Sequence, residues 1–170
     1  MTADEQVDTG PLLDALTEGT KRWLDTHDGH RPLLVGIHTG GAWVAEELHR
    51  RLGVTEPLGT LDISFYRDDF SRIGVHPQVK PSHLPVTVED RPILLVDDVL
   101  QTGRTVRAAL NEIFDYGRPA SVALAVLVDR PGRELPIAAE VAGARWDLPA
   151  QRQVKLDGPD PLPLTLHDLA

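Results

Sequence analysis

Apolar residues recur along the chain with two different spacings, which predict helices and strands in alternation. Helical spacing predicts a first helix from about Pro11 to His27, with Thr9 as its N-terminal cap. It predicts a second helix over "AWVAEELHRRL", which Gly53 ends, and a third over "GRTVRAALNEIFDYG", which Gly117 ends. The segments between these helices are therefore interpreted as strands and loops.

The strands are predicted from short apolar runs. "PLLVGIH", "PILLV" and "SVALAVLV" are apolar almost throughout, while "GTLDISFYRDD" alternates with period two. Strands that are apolar on both faces are typical of a parallel sheet covered by helices. The order of elements thus predicts an α/β fold with a mainly parallel central sheet flanked by helices.

Periodicity is lost in two regions. Between Asp68 and Asp90 the sequence contains three prolines and no regular spacing, which predicts a long flexible loop over about residues 67–90. After Asp129 the chain becomes irregular and proline-rich, and we expect it to fold over one end of the sheet as a small hood, about residues 130–170. With 170 residues, the chain fits a single domain whose core spans about residues 31–130.

Composition narrows the class of protein. The chain has no cysteine, which excludes disulfides, a thiolate zinc site and a cysteine nucleophile. Its beginning, "MTADEQVDTG", is unlike a secretory signal, and no apolar run approaches the roughly 20 residues that span a bilayer. We therefore expect a soluble, cytoplasmic protein with no membrane partner. The formal net charge of −9 argues weakly against non-specific nucleic-acid binding, which depends on Lys and Arg.

The segment "RPILLVDDVLQTGRTVRAAL" carries the most specific chemistry. Asp97 and Asp98 come at the carboxyl end of a buried strand, where ligands bind in open parallel sheets. Gly103 lets the backbone turn, and the N–H groups and hydroxyls of Thr102 and Thr105 then lie near a helix N-terminus, which favours an anion. The carboxylates suit sugar hydroxyls or a hydrated Mg²⁺. Together these features predict a sugar-phosphate site.

Two other interpretations of this segment are open. The aspartates could be a solvated strand end, with the threonines capping the next helix. Receiver domains also place paired acids at a strand end, but theirs follow the first strand, whereas Asp97 and Asp98 follow the fourth predicted element of regular structure.

"ILLVDDVLQTGRTVRAAL" resembles the phosphoribosyl-pyrophosphate (PRPP) motif of the type I phosphoribosyltransferases. The likeness continues through "LVGIHTGG", "LDISFYRDD" and "LAVLVDRPGRELPIAAEVAG", from roughly Leu33 to Leu156. "YRDD" together with "VLVDRPGRELPI" narrows it to the pyrimidine operon regulators that also have uracil phosphoribosyltransferase activity. The resemblance implies a type I phosphoribosyltransferase fold that binds PRPP, uracil and UMP, with Mg²⁺ as cofactor and no direct protein ligand to the metal.

The resemblance also implies roles for individual residues. Asp97 and Asp98 would be catalytic and would hold the ribose hydroxyls, while Arg130 and Val154 would lie at the nucleobase, under the hood. The pyrophosphate and phosphate would be held by Thr39, Gly40, Gly41, Arg67, Val99, Leu100, Gln101, Thr102, Gly103, Arg104 and Thr105. Tyr66, Arg67, Asp68 and Asp69 would open a flexible loop that closes over substrate, in which Arg72 and Lys80 could also meet the pyrophosphate.

Several of these assignments have alternatives. Relatives often carry an arginine where this chain has Gly40, and its loss removes a cation from the pyrophosphate. His38 could compensate in part, or it could be a neutral polar residue at the strand end. Purine enzymes usually have an aspartate in place of Gln101, so a pyrimidine substrate is favoured. Arg130 could instead form a surface ion pair with Glu134. Val154 could simply belong to the core.

Two functions follow from the resemblance. One is the reaction of uracil with PRPP to give UMP and pyrophosphate. The other is a regulator that binds the leader RNA of a pyrimidine operon in response to UMP or UTP, with little or no catalysis. For RNA, the most basic stretches are His49-Arg50-Arg51 and Lys21-Arg22, either of which could be a solvated face. The family suggests a homo-oligomer, dimeric or higher.

Overall fold

The computed structural model describes residues 4–27, 31–63 and 82–169. Its elements form a five-stranded parallel sheet with helices on both faces and a separate three-stranded antiparallel sheet. In chain order they are β1 (Glu5–Val7), α1 (Gly10–Asp25), β2 (Leu33–Ile37), α2 (Gly40–Leu52), β3 (Gly59–Leu61), β4 (Pro92–Leu100), α3 (Arg104–Tyr116), β5 (Ser121–Asp129), β6 (Val141–Arg145), β7 (Arg152–Leu156) and β8 (Leu164–Asp168). None of the helices described here has the length and apolar character needed to cross a membrane.

The parallel sheet has the strand order β3-β2-β4-β5-β6 and lies between two apolar clusters. Leu94 packs on one face with residues of α1 and α2, and Leu95 packs on the other with residues of α3, because successive side chains of a strand point to opposite faces. The strands are therefore apolar throughout because both of their faces are buried, as the sequence predicts. The predicted fold class is confirmed.

Most helix limits lie close to the predicted ones. α2 ends at Leu52, and Gly53 follows it in the left-handed conformation at φ +65°. The predicted cap of α1 is wrong in its detail, since the hydroxyl of Thr9 donates to the carbonyl of Leu162 at 2.9 Å and makes no cap hydrogen bond to its helix. The predicted strand "GTLDISFYRDD" is a strand over Gly59–Leu61, and its part beyond Ile63 lies outside the described residues.

Strand β4 is longer than predicted, and its length places the paired acids. The apolar run predicts an end at Val96, but the strand continues to Leu100. β5 pairs with it as far as Leu100, whereas β2 stops pairing at Val96. Asp97 and Asp98 therefore lie in β4 at the point where its β2 neighbour has ended.

The central sheet also includes a strand that the sequence analysis assigned to the hood. β6 pairs in parallel with β5, so the sheet extends past residue 130. Its sequence, "VAGAR", consists mainly of small residues and lacks the β-branched run that signals a strand. Close packing explains the glycine, because a Cβ on Gly143 would lie 2.7 Å from the carbonyl oxygen of Leu12 in α1.

The antiparallel sheet joins the two ends of the described chain. β8 is its central strand, with β1 on one side and β7 on the other. Leu164 of β8 is fully buried against the cluster that also holds Leu16 of α1. An ion pair between Arg152 and Glu5 (3.0 Å) adds a second link between β7 and β1. The hood is thus completed by an N-terminal strand that the sequence did not predict.

Candidate active site

A cavity of about 230 Å³ opens between the end of β4, the N-terminus of α3 and strand β7 of the hood. It is lined by Asp97, Val99, Leu100, Gln101, Thr102, Gly103, Thr105, Val106, Arg130, Gln153 and Val154. All of these except Val106 and Gln153 are candidate site residues of the sequence analysis. Val106 is a buried helix residue, and Gln153 lies on an exposed strand, so neither position carried a signal of function in the sequence. Residues predicted for the phosphate and for the nucleobase therefore line one cavity.

The 101–105 loop, from Gln101 to Thr105, turns directly into α3. Gly103 has φ +91°, a conformation that residues with a side chain rarely adopt. A Cβ at Gly103 would also lie 3.0 Å from Ile137. The hydroxyl of Thr102 accepts a hydrogen bond from the N–H of Arg104 at 3.1 Å, which stabilises the turn. The N-terminus of α3, which is the positive end of the helix dipole, therefore lies at the cavity.

Two carbonyl groups of the 101–105 loop are held by the segment after β5. Arg133 donates to the carbonyl of Gln101 at 2.8 Å. The N–H groups of Glu134 and Leu135 donate to the carbonyl of Thr102 at 2.9 and 3.2 Å. In a trans peptide the C=O and N–H groups point in opposite directions. The N–H groups of Thr102 and Gly103 are therefore turned away from this segment.

Local hydrogen bonds orient the paired acids. Oδ1 of Asp97 accepts the N–H of Asp98, and Oδ1 of Asp98 accepts the N–H of Val99, both at 2.8 Å. Asp97 is buried, with 5% of its surface exposed, while Asp98 is partly exposed. Each carboxylate thus uses one oxygen to fix its own direction.

The turn from Thr39 to Gly41 lies against these acids. A Cβ on Gly41 would stand 2.7 Å from the carbonyl oxygen of Val96 and 2.9 Å from Oδ1 of Asp97. A Cβ on Gly40 would collide with the carboxylate of Asp98. Both glycines are needed for this close approach, which brings the predicted pyrophosphate turn to the predicted ribose site. The preceding residue, His38, is partly buried, and its backbone N–H donates to the carbonyl of Leu61 at 2.9 Å.

Arg130 is almost completely buried beside the cavity, with 3% of its surface exposed. Its guanidinium donates to the carbonyls of Arg152 (2.5 Å) and Pro149 (2.9 Å), and burial lowers its pKa. Its Nε–H is buried without an acceptor among the described residues. The alternative of a surface pair with Glu134 is wrong, because Arg130 is buried and its guanidinium donates to main-chain carbonyls, while Glu134 pairs with Arg104 at 3.2 Å.

Val154 presents its backbone to the open edge of the hood sheet. Hydrogen bonds from Leu169 to Gln151 and from Asp157 to Pro163 show that the odd-numbered residues of this segment bond to β8. The N–H and C=O of Val154 therefore face away from β8, as does the carbonyl that Arg130 holds. Its side chain is partly buried and packs against the core, so the core alternative and the site prediction are compatible.

Other predicted residues lie outside the cavity or outside the described chain. Arg104 is exposed and pairs with Glu134. The loop candidates all fall outside the described residues: Tyr66, Arg67, Asp68, Asp69, Arg72 and Lys80.

The donor set at the cavity fits a magnesium ion that is held mainly by substrate. Across residues 4–27, 31–63 and 82–169, no cluster of three or more His, Cys, Asp or Glu side chains could hold a metal by itself. Mg²⁺ commonly keeps several waters and binds one or two carboxylates together with substrate phosphates. Asp97 lines the cavity and Asp98 follows it in β4, so a magnesium ion held by substrate oxygens and water would lie near these two carboxylates.

The basic stretches predicted for RNA are largely neutralised by acidic neighbours. Arg50 and Arg51 both donate to Glu47, and these hydrogen bonds, first that of Arg50, lower the pKa of the Glu47 carboxyl. Arg51 also pairs with Asp14 at 2.6 Å. Lys21 lies 3.4 Å from Glu18. These contacts support the interpretation of both stretches as solvated faces.

Comparison with known proteins gives a consistent result. The family model of the phosphoribosyl transferase domain matches residues 4–151. A "Bifunctional protein PyrR" of Nitrosococcus oceani is 61% identical over 158 residues, which are 92% of this chain and 89% of that protein. Proteins of the same name from Pseudomonas putida and Pseudomonas aeruginosa are 60% and 56% identical, over 82% and 90% of this chain and 81% and 90% of theirs.

Solved structures support the fold alone. A hypoxanthine-guanine phosphoribosyltransferase of Bacillus anthracis has a TM-score of 0.67 at 17% identity and covers 86% of each chain. A hypoxanthine phosphoribosyltransferase of Staphylococcus aureus has a TM-score of 0.64 at 21% identity, over 86% of this chain and 79% of its own. At such identities the shared feature is the arrangement of sheet and helices.

Proposed function

Because the chain belongs to the phosphoribosyl transferase family and, within it, to the PyrR proteins, we propose that it converts uracil and PRPP to UMP and pyrophosphate and also regulates a pyrimidine operon. One observation carries the enzymatic part. The 101–105 loop, the carboxylate of Asp97, Arg130 and the backbone edge at Val154 line a single cavity. That order of groups matches the phosphate, ribose and base of one nucleotide.

The 5-phosphate is assigned to the 101–105 loop. The N–H groups of Thr102 and Gly103 are turned away from the segment that holds their neighbouring carbonyls, and α3 begins directly afterwards. Backbone donors at a helix N-terminus suit a phosphomonoester without a dedicated cation. This supports anion binding by a protein whose net charge is −9.

The ribose hydroxyls are assigned to Asp97 and Asp98. Carboxylates accept charge-assisted hydrogen bonds from vicinal hydroxyls. One oxygen of each already accepts a backbone N–H, which holds both carboxylates in place before the ligand arrives. Preorganised charge is also effective in the transition state, where positive charge develops on the ribosyl carbon.

The base is assigned to the edge of β7. Uracil presents carbonyl acceptors and an N–H donor along one edge, and the N–H and C=O of Val154 form the complementary pair on the open side of the strand. Arg130 ties β7 to the end of β5 through the carbonyl of Arg152 and brings a buried positive charge to this side of the cavity. Gln101 cannot act as an ionisable base, which favours a pyrimidine.

The leaving pyrophosphate is assigned to the turn from Thr39 to Gly41, beside Asp98. Mg²⁺, bound through substrate oxygens and water near Asp97 and Asp98, would neutralise charge on the leaving group. The segment of about residues 67–90, with Arg67, is proposed to close over the substrate and exclude water. Residues 67–81 lie outside the described chain, so closure remains a prediction for them. The flexible-loop prediction is wrong for residues 82–90, because His83 pairs with Thr60 and Val88 is buried in the core.

Turnover tests the enzymatic function directly. Purified protein supplied with uracil, PRPP and magnesium should produce UMP, and EDTA should stop the reaction. Hypoxanthine in place of uracil serves as the purine control. Absence of UMP at high protein concentration would remove the enzymatic claim and leave the alternative of a UMP-sensing regulator.

The regulatory function rests on the PyrR relatives rather than on a visible basic surface. UMP or UTP in the cavity would change the affinity for leader RNA by linkage. A gel-shift titration with the operon's own leader, with and without UMP, tests this. Affinity that is unaffected by UMP and equal to that for random RNA of the same length would exclude the regulator.

A homo-oligomer, dimeric or higher, in the cytoplasm completes the proposal. Phe114 and Tyr116 on α3 are 57% and 52% exposed, which gives this helix aromatic surface that a second copy would cover. Light scattering of the purified protein measures the mass of the assembly. A monomer at micromolar concentration would contradict the oligomer.

A further inference from the structure

The guanidinium of Arg133 makes four separate contacts at the base of the 101–105 loop. It donates to the carbonyls of Gln101 (2.8 Å), Arg130 (3.0 Å) and Ile137 (2.8 Å). Its remaining nitrogen pairs with Oδ1 of Asp129 at 2.6 Å. Arg133 does not line the cavity. Arg133 donates to three carbonyls and one buried carboxylate. It therefore holds the backbone rather than a ligand.

These contacts determine which way the 101–105 loop presents its donors. The carbonyl of Gln101 belongs to the same peptide unit as the N–H of Thr102, and the two point in opposite directions. Holding that carbonyl therefore sets the direction of the Thr102 N–H. The N–H groups of Glu134 and Leu135 hold the next carbonyl, that of Thr102, in the same way.

The local backbone is shaped for this contact. Gly132 has φ +123°, and a Cβ there would lie 3.2 Å from Cγ of Gln101. A glycine immediately before Arg133 thus lets the two loops approach each other. Asp129, which is 8% exposed, anchors the guanidinium from the end of β5.

We propose that Arg133 is the positioning residue of the phosphate site, which directs the donors of the 101–105 loop toward a phosphomonoester without touching it. This rests on the proposed function, since it concerns the same site. The fold offers a matched control in Arg145. That side chain is 61% exposed and pairs with the other oxygen of Asp129, without a hydrogen bond to the 101–105 loop among the described residues.

The experiment separates phosphate affinity from base affinity. Ribose 5-phosphate carries the phosphate without a base, and uridine carries the base without a phosphate. Both, together with UMP, are titrated by calorimetry into the wild type, Arg133→Gln, Arg133→Lys and Arg145→Gln. Circular dichroism and thermal melts confirm that each variant is folded.

We expect Arg133→Gln to bind ribose 5-phosphate and UMP about tenfold more weakly, the effect of losing one charged hydrogen-bonding group. Uridine affinity should change less than about twofold, and Arg145→Gln should match the wild type for all three ligands. Arg133→Lys keeps the charge but not the planar fork, so it should fall between wild type and Arg133→Gln. In turnover, KM for PRPP should rise while KM for uracil at saturating PRPP stays unchanged.

Two results would overturn the positioning role. The first is ribose 5-phosphate affinity that survives in both Arg133 variants. The second is an equal loss of uridine affinity, since that would mean general disruption of the hood. Failure of the proposed function gives a different pattern, in which the wild type itself binds neither UMP nor ribose 5-phosphate.

Discussion

Asp98 lies between two parts of the site that are distant in sequence. Its Oδ1 accepts the N–H of Val99, and the rest of its carboxylate lies close to Gly40. The hydrogen bond to its own strand therefore orients the Asp98 side chain, and the absence of a side chain at Gly40 leaves space for its carboxylate. Substitutions at either position test its role at the scale of a single residue.

Replacing Asp98 with asparagine should weaken PRPP binding and leave the fold unchanged. The amide oxygen can still accept the N–H of Val99, but the charge that binds the ribose hydroxyls is lost. We expect kcat/KM to fall roughly 10- to 150-fold, since a charged hydrogen bond contributes about 1.5–3 kcal/mol. Turnover and calorimetry with PRPP measure this, with Glu18→Gln on the exposed face of α1 as a control. Full turnover in the asparagine variant would refute the ribose assignment.

Replacing Gly40 with alanine should weaken PRPP binding without unfolding the protein. The new Cβ would collide with the carboxylate of Asp98, which must then rotate away from its hydrogen bond to Val99. We expect a loss of about tenfold in affinity, comparable to one misplaced charged group. Titration of PRPP into the variant checks it, and an unchanged affinity would show that Asp98 can move at no cost.

At this scale, the sequence predicts residues whose chemistry is local. Thr102, Gly103 and Thr105 form a recognisable turn before a helix, and they do line the cavity. Arg133 carries no such signal, because an arginine that binds main-chain carbonyls looks in sequence like any surface cation. Arg130 was predicted only through family resemblance, and its burial could not be read from an arginine after a strand.

Among the elements, α3 joins the site to the segment that precedes β4. The hydroxyl of Ser82 accepts the N–H of Asp62 and donates to the carboxylate of Glu112 on α3. Burial is the main cause that raises the pKa of Glu112, and the charges of Asp115 and Asp62 add to it. The helix is thus held by a carboxyl group whose pKa lies above its ordinary value.

Stability should fall with rising pH because of Glu112. Its pKa in the folded protein lies above the ordinary value of 4.5, so its contribution is full below that value and is lost as the pH rises through the raised pKa. Glu112→Gln keeps an acceptor for Ser82 and should remove this loss. We expect the variant to be more stable than wild type at pH 7, by less than about 1 kcal/mol since the group keeps some water, and equally stable near pH 4.

Urea unfolding between pH 4 and pH 8 measures the difference. Glu46→Gln, an exposed change on α2, is the matched control and should leave the pH profile of the wild type unaltered. If Glu112→Gln changed the free energy of unfolding by the same amount at every pH, that result would contradict the titration of Glu112.

Elements were predictable where periodicity was strong. The runs in β2, β4 and β5 are apolar because both faces are buried, and this signal survives in the sequence alone. β6 was missed since small residues fit closely under α1 and give no strand pattern. The end of β4 was misplaced because charged residues normally end an apolar run, whereas here the pairing with β5 continues past them.

At the scale of the whole molecule, the hood depends on the N-terminal strand. Arg152 of β7 pairs with Glu5 of β1 at 3.0 Å and with Asp168 of β8 at 3.1 Å. The same residue offers its carbonyl to Arg130. These contacts predict that removing β1 loosens β7 and, through it, the base side of the cavity. Such long-range pairing leaves no local pattern, which is why the sequence did not predict it.

Deleting residues 1–7 should lower both thermal stability and uridine affinity. The deletion removes three backbone pairings with β8 and one ion pair. We expect the melting temperature to fall by several degrees, since about 1 kcal/mol shifts it by about 2–4 °C in a chain of this size. Ribose 5-phosphate affinity should be retained, because the 101–105 loop does not pair with β1. Deletion of residues 1–3 is the control. If the protein without β1 bound uridine with normal affinity, β1 would have no role in base binding.

The pairing of β1 with β8 also determines when, during translation, the base side of the cavity can assemble. The hydroxyl of Thr9 and its acceptor, the carbonyl of Leu162, are 153 positions apart. At about 5–20 residues per second, the ribosome needs roughly 8–30 seconds to make the intervening chain. During that interval β1 has no partner and the edge that would meet the base is unmade. A nascent chain on the ribosome therefore lacks the assembled base side of the cavity until synthesis of β8 is complete.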